Sequence, residues 1–273
     1  DVTNLVAWRD KSKHEFEKRE GVKITFTPLF IEAIVKCIKK YPMLNSSVVG
    51  DNIIIKKDIN VGMATALPNG NLIVPVIKYA DQFNIIGLAK QVITLANNAR
   101  TGKLQPGDTQ DGTFTFTNVG TFGSLMGTPI INQPQVAIIA TGAIKKKPVV
   151  IESDKGDSIA IRHMMFVSMS YDHRIIDGKE SVGFLVAVKE ALENPGRVYV
   201  YGEYLLINDQ AKGIHIYDNT NPSSPVEVSF IAIPGNLDFS VSNGMLYADN
   251  ITDMVVVDIT NPASPDYVNR IED

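Results

Sequence analysis

The sequence predicts a mixed α/β domain, with helices packed on a largely antiparallel or mixed sheet, followed by an all-β repeat segment. Two observations carry the prediction. Over the first 196 residues, segments with apolar residues at helical spacing alternate with short β-branched runs, whereas after Gly196 only short strands remain. Within that second part, Asp218-Asn219-Thr220-Asn221-Pro222-Ser223-Ser224-Pro225 matches Asp258-Ile259-Thr260-Asn261-Pro262-Ala263-Ser264-Pro265 at an offset of 40 residues, 218 to 258. A period of that length with several short strands per unit is the signature of propeller blades, with solenoids and arrays as competing architectures. The predicted division is residues 1–196 and residues 197–273.

Taken in order, Thr3 to Lys18 carries Leu5, Val6, Trp8 and Phe16 among charges. Thr27-Pro28 followed by Leu29, Phe30, Ile31, Ile34, Val35 and Ile38 reads as a capped amphipathic helix that ends at Tyr41-Pro42. Ser47 to Val49 and Asp51 to Lys56 form a hairpin around Gly50-Asp51-Asn52. Val61 to Leu67 and Leu72 to Ile77 form a second antiparallel pair across Pro68-Asn69-Gly70. Ile86, Leu88, Ala89, Val92, Ile93 and Ala96 recur at helical spacing up to Gly102. Thr113 to Thr117, Gln135 to Ala143 and His163 to Tyr171 read as buried strands, and Lys179 to Leu192 as a helix stopped by Asn194-Pro195-Gly196. Beyond it, Val198 to Asn208, Gly213 to Tyr217, Val226 to Ile233, Met245 to Ala248 and Met254 to Ile259 are short strands.

A chain of 273 residues that is 44% hydrophobic and 21% charged can bury a substantial core, so disorder is not expected. A formal net charge of -4 gives no reason to expect nucleic acid or an anionic membrane as partner. The basic run Lys145-Lys146-Lys147 reads as a solvated turn. Cys37, the one cysteine, sits among Ile34, Val35 and Ile38 as a buried small hydrophobe, so no disulfide forms within the chain. His14, His163, His173 and His215 are scattered, and nothing has metal-ligand spacing, so no metal is expected. No apolar run approaches the ~20 residues of a membrane-spanning helix, and the chain opens Asp1-Val2-Thr3-Asn4 rather than with a signal peptide. A soluble cytoplasmic protein is the expectation.

The densest chemical signal is Ser170-Tyr171-Asp172-His173-Arg174-Ile175-Ile176-Asp177-Gly178, a strand end that delivers a histidine and, four residues later, an aspartate. Imidazole is the natural general base for a thiol at neutral pH, because its ordinary pKa of about 6.5 lies within reach of a thiol near 8.5. An isolated histidine beside an aspartate more often satisfies a strand-to-helix turn. Two upstream stretches shift that balance. Phe114-Thr115-Phe116-Thr117-Asn118-Val119-Gly120-Thr121-Phe122-Gly123-Ser124 puts a hydroxyl and an amide at a strand end, ahead of a glycine-bearing loop. A hydroxyl there can donate to an oxyanion, although a solvent-facing strand threonine would look the same. Tyr41-Pro42-Met43-Leu44-Asn45-Ser46 joins a helix to a strand through polar residues.

From Asp1 to about Pro195 the chain resembles the catalytic domain of the dihydrolipoamide acyltransferases, the cores of 2-oxo acid dehydrogenase complexes. Asp172 to Gly178 fits that family's most specific motif, and Gly123-Ser124-Leu125-Met126 with Thr128-Pro129-Ile130-Ile131-Asn132 is typical of succinyl-type members. The resemblance implies a chloramphenicol-acetyltransferase-like fold and a homotrimer with each active site in a channel between neighbours. Trimers of this kind stack into larger cores. Coenzyme A and dihydrolipoamide are the implied substrates, with no metal. Mapped onto this sequence, His173 takes the proton from the attacking thiol, Thr117 of the adjoining subunit hydrogen-bonds the oxyanion, and Asp177 orients the site. Asp177 reads equally as an ion-pair partner of Arg174 or another basic group. Asn118, Gly120, Ser124 and Asn45 are the implied substrate-binding residues.

Against the family's pattern, the first helix and strand of the domain are expected to be missing. The lipoyl domain is expected to come from another segment or chain. Residues 198–273 resemble the repeat proteins named after their Leu-Val-Ile-Val-Asp motif, through Ile214-His215-Ile216-Tyr217-Asp218 and Val255-Val256-Val257-Asp258. That likeness implies an outer-surface or secreted β-propeller with binding duty. With fewer than two full repeats legible, below the three or so that repeat architectures need, the segment is expected to be poorly stable alone and uncoupled from the first part. A non-catalytic scaffold or β-propeller binding protein is therefore the alternative reading of the whole.

Overall fold

The computed structural model describes residues 1–152, 156–193, 198–209, 212–221, 225–236, 239–250 and 253–271. Cα packing divides the chain into two units, Asp1–Pro195 and Gly196–Asp273. The first is mixed α/β and the second all-β.

In the first unit, helix α1 spans Thr3–Glu20 and buries Leu5, Val6 and Phe16. Helix α2, Phe26–Lys40, carries the densest apolar stripe, burying Leu29, Phe30, Ile31, Ile34, Val35, Cys37 and Ile38. The sequence reading, with Thr27 as cap, placed its start two residues late. Thr25 holds the N-cap position without a side-chain cap, and Pro28 sits inside the first turn, where a missing N–H costs nothing. After the 3₁₀ turn Pro42–Asn45, β1 (Ser46–Val49) and β2 (Asn52–Ile55) pair antiparallel as the predicted hairpin. The second predicted pair is split in two: β3 (Val61–Met63) pairs with β6 (Val76–Ile77), while β4 (Thr65–Ala66) pairs with β5 (Leu72–Ile73) in a separate ribbon. Helix α3, Ile85–Arg100, begins at Asn84, whose side-chain oxygen accepts from the Gly87 amide at 2.8 Å.

The remaining strands are β7 (Phe114–Asn118), β8 (Ala137–Thr141), β9 (Lys145–Ile151), β10 (Ser158–Met164) and β11 (Val167–Tyr171), before helix α4 (Gly178–Glu193). They assemble a five-stranded mixed sheet in the order β11-β8-β7-β3-β6. β8 runs parallel to β7 and antiparallel to β11, and β7 runs parallel to β3. Alternation along Phe114-Thr115-Phe116-Thr117 sends both phenylalanines to the helix-covered face, where Phe116 packs on Phe30 of α2 at 6.0 Å and Phe114 on Phe184 of α4 at 5.8 Å. Helix α4 buries Ser181, Phe184, Val188 and Leu192, a stripe on one side of the helix. Its predicted stop at Asn194-Pro195-Gly196 lies outside the described residues.

Two readings need correction. Lys145-Lys146-Lys147 is not a turn but the start of β9, which pairs with β10, Lys146 opposite His163. Lysines are depleted in strands, so propensity pointed away from a run that cross-strand pairing holds extended. The stretch His163 to Tyr171 is likewise two strands in different sheets, because β10 ends at Met164 and β11 begins at Val167.

The second unit contains two four-stranded antiparallel meanders. The first comprises β12 (Val198–Tyr201), β13 (Tyr204–Asp209), β14 (Gly213–Asp218) and β15 (Val226–Ala232); the second comprises β16 (Phe239–Ser242), β17 (Met245–Asn250), β18 (Asp253–Asp258) and β19 (Asp266–Ile271). Two four-stranded repeats are therefore described, where the sequence showed fewer than two. The turn between β12 and β13, and the whole of β16 and β19, were missed. β19 is exposed along its length, so no buried period marks it. The offset is 40 residues from β14 to β18 but 41 from β13 to β17, because the first β13–β14 connection is one residue longer. Each third strand bulges at the equivalent step, Ile216/Tyr217 and Val256/Val257. Each repeat motif opens with the same turn: Asp218 accepts from the Thr220 amide at 2.9 Å and Asp258 from the Thr260 amide at 2.8 Å. Those bonds hold both carboxyls below the usual carboxylate range. Pro222 to Ser224 of the first motif lie outside the described residues. Leu206, Ile214, Ile216 and Ile233 of the first meander share one core with Phe239, Leu246, Val255, Val257 and Ile259 of the second.

Cys37 is 2% exposed, and burial pushes its thiol up to about 11. At pH 8 it is therefore expected to resist alkylation by iodoacetamide in the folded chain and to react fully in denaturant, as read by intact mass.

Candidate active site

The sheet register decides which predicted residues meet. β11 delivers Tyr171 opposite Ala137, at the start of β8, and the Asp172 amide donates to the Val136 carbonyl at 2.8 Å. His173 thus leaves the sheet at the end where β8 begins. Thr117 lies opposite Ala140, and Asn118 opposite Thr141, at the end where β8 finishes. Three residues of strand and two strand spacings separate Thr117 from Tyr171, roughly 10 Å along the sheet and roughly 10 Å across it. One copy of the chain does not bring His173 to Thr117.

His173 is exposed, its ring 5.5 Å from the Tyr171 ring and tilted by 36°. Among the described residues its ring nitrogens have no hydrogen-bond partner. The turn that carries it is tightly tied. The Ile175 and Ile176 amides donate to the Asp172 carbonyl at 3.2 and 3.0 Å, and Ile176 is fully buried. Asp172 accepts from Arg174 Nε at 2.9 Å and from Nη2 at 2.6 Å. These bonds hold the Asp172 carboxyl below the usual carboxylate range and raise the Arg174 guanidinium. The ion pair read between Arg174 and Asp177 is thereby corrected: Arg174 folds onto Asp172, two residues away on the same turn. Asp177 caps α4, its Oδ1 accepting from the Glu180 amide at 2.7 Å.

At the other end, Thr117 and Asn118 are half-buried, and among the described residues neither the Thr117 hydroxyl nor the Asn118 amide group has a partner. The loop after them is pressed onto the end of β8. A Cβ on Gly120 would collide with the backbone of Gly142 and Ala143, and one on Gly142 with the Leu125 carbonyl, so both positions require glycine. The Ala143 amide donates to the Ser124 carbonyl at 2.9 Å, and Ser124 Oγ to the Met126 carbonyl at 2.9 Å. Gly120 and Ser124 thus fix the loop's shape, leaving Thr117 and Asn118 as the groups free to donate. Asn45 lies elsewhere, 2% exposed, with its Nδ2 donating to the carbonyls of Lys56 and Asp58 at 3.0 Å each. Its amide ties the segment after β2 to the 3₁₀ turn.

Sequence reasoning missed Tyr171 as the neighbour of the His173 ring and Asp172 as the partner of Arg174. Both are adjacent in sequence, but only the turn's closure shows which side chains meet. Among the described residues no group of three or more His, Cys, Asp or Glu side chains is placed to hold a metal ion. No helix among them is long and apolar enough to cross a membrane.

The first unit is thus a mixed sheet covered by helices, with a histidine turn at one end and a strand-end threonine at the other. Residues 1–200 match the family of 2-oxoacid dehydrogenases acyltransferase (catalytic domain), and the chain belongs to that family. Residues 195–232 and 237–273 each match the LVIVD repeat. The chain is 44% identical over 202 residues to the dihydrolipoyllysine-residue succinyltransferase component of the 2-oxoglutarate dehydrogenase complex of Bacillus subtilis, covering 74% of this chain and 48% of that protein. It thus spans about half the length of that relative. A crystal structure of a probable dihydrolipoamide acetyltransferase from Listeria monocytogenes superposes with a TM-score of 0.67 at 43% identity, covering 71% of this chain and 80% of that one. An Azotobacter vinelandii dihydrolipoamide acetyltransferase gives a TM-score of 0.67 at 36% identity, covering 71% and 79%. In that enzyme a serine, a histidine and an asparagine four residues after it were investigated for their roles in catalysis.

Replacing Asp177 with alanine should remove the α4 cap and lower stability by about 1 kcal/mol in urea denaturation, whereas Asp177→Asn should retain it. Equal loss in both variants would assign the carboxylate a role other than capping.

Proposed function

We propose that the chain transfers an acyl group between dihydrolipoamide and coenzyme A, as the core of a 2-oxo acid dehydrogenase complex. The observation that carries the reading is the exposed imidazole of His173 on the Asp172–Gly178 turn in a chain of this family. His173 takes the proton of the attacking thiol, and the thiolate adds to the thioester carbonyl. The tetrahedral oxyanion accepts a hydrogen bond from the Thr117 hydroxyl. On collapse the second sulfur leaves as a thiolate and takes the proton back from the imidazolium. Proton and electron pair both balance without a metal.

His173 and Thr117 lie at opposite ends of one sheet, which supports a site shared between two copies, with Thr117 supplied by the neighbour in a homotrimer. Such trimers would build a larger core, served by a lipoyl domain on another segment or chain. Asn118 positions substrate beside Thr117, and the fixed loop of Gly120 and Ser124 forms part of the wall. Asp177 acts through the turn it helps to close, and Asn45 through the shape of the segment it ties. Succinyl is the acyl group, by similarity to the succinyltransferase, and the setting is cytoplasmic. Residues 1–196 form the catalytic domain, and residues 197–273 form two propeller-type blades with no part in the chemistry.

A second reading, a binding scaffold without turnover, is favoured only by the repeat unit and its LVIVD match. Free thiol released from succinyl-CoA and dihydrolipoamide separates the two. Turnover is expected, with His173→Ala abolishing it and Thr117→Ala lowering kcat by about 10²-fold or more, while Thr117→Ser retains most of it. Absence of turnover in the unaltered chain at any substrate concentration would leave the scaffold reading.

A further inference from the structure

We propose that the Asp172–Arg174 ion pair is a positioning clamp for His173, fixing where the imidazole leaves the turn and neutralising the carboxylate beside it. The proposal rests on the acyl-transfer reading above for its kinetic consequences, and on the turn's geometry alone for its existence.

The two side chains belong to the residues immediately before and after His173. Arg174 Nε donates to both Asp172 oxygens, at 2.9 and 3.1 Å, Nη2 donates to Oδ2 at 2.6 Å, and the Arg174 amide donates to Oδ1 at 3.1 Å. Four hydrogen bonds thus close a small loop in which residue 173 alone is left out. One end of that loop is pinned to the sheet through the Asp172 amide and the Val136 carbonyl, and the other runs into the fully buried Ile176. The His173 ring, excluded from the loop, lies against Tyr171. A pair whose arginine side chain is 71% exposed contributes little to global stability, so its four-fold bonding is better understood as local geometry.

Charge points the same way. An unpaired carboxylate beside an imidazole favours the protonated ring and so removes base at neutral pH. A guanidinium locked onto that carboxylate cancels the effect without giving up the polar anchor. The titratable and charged groups nearest His173 along its own segment are Tyr171 at the end of β11, whose ring it touches, then Asp172, Arg174, Asp177 and Lys179, and the Asp177 carboxylate is engaged at the Glu180 amide.

The test is a pH profile of the full chain with succinyl-CoA and free dihydrolipoamide, for the unaltered protein, Arg174→Gln, Asp172→Asn, the double variant and Arg174→Lys. Each single neutral variant should lower kcat about tenfold through misplacement of the base, with KM for succinyl-CoA changed by less than about twofold. The acid limb of kcat/KM should move to higher pH in Arg174→Gln and to lower pH in Asp172→Asn, and return to its original position in the double variant. Arg174→Lys keeps the charge without the fork, so it should lose kcat while keeping the limb in place. A pair with a merely structural role would lower the melting temperature and leave every limb unmoved, and that result, or movement of both limbs in one direction, overturns the clamp. If the unaltered chain shows no turnover, the acyl-transfer reading fails by itself. The clamp is then judged by NMR titration of the His173 ring signals, where the same opposite displacements are expected and coincident curves overturn it.

Discussion

The register of β8 with its two neighbours is the constraint on which the rest of the first unit depends. Because β8 runs parallel to β7 and antiparallel to β11, the strand that carries Thr117 near its end and the strand that ends before His173 finish at opposite ends of the same sheet. A one-residue slip would exchange the faces of Phe114 and Phe116 with those of Thr115 and Thr117, driving hydroxyls against α2 and α4. The aromatic contacts with Phe30 and Phe184 therefore hold the register, and the register holds the chemistry apart.

That separation turns a question about residues into one about copies. Under the proposed reading, a domain whose His173 and Thr117 emerge at opposite ends of one sheet carries half of a site at each end. The Thr117 end is shaped by glycine-only contact between Gly120 and the backbone of Gly142 and Ala143, and among the described residues the Thr117 and Asn118 side chains have no hydrogen-bond partner. The His173 end is tied by different means, the Asp172–Arg174 ion pair and the buried Ile176. Both ends are tied by contacts within the chain itself, by backbone packing at one and by hydrogen bonds at the other.

The second unit is organised by a simpler rule. Two meanders of the same plan bury their aliphatic residues against each other, and the Asp218 and Asp258 turns close each third strand in the same way. The unit's regularity is backbone regularity: the β13–β14 ladder still closes at Asp209 opposite Gly213 although the sequence between them is one residue longer than its counterpart.

Much of this was legible from residues alone. The apolar stripes of α2, α3 and α4, the hairpin at Gly50 and the forty-residue repeat follow from spacing, because burial imposes period on sequence. The motif from Asp172 to Gly178 and the strand-end Thr117 are also local, so their chemistry could be named at once. What the sequence could not decide was every feature set by pairing between distant segments. The lysine run became a strand because β10 lies beside it, and the stretch from His163 to Tyr171 broke between two sheets; locally, only the closure of the turn decided that Arg174 pairs with Asp172 rather than Asp177. Local sequence determines which chemistry is present and which face is apolar; only the tertiary structure decides at which end of the sheet each group emerges, because strand direction is fixed by hydrogen bonds to neighbours that the sequence does not name.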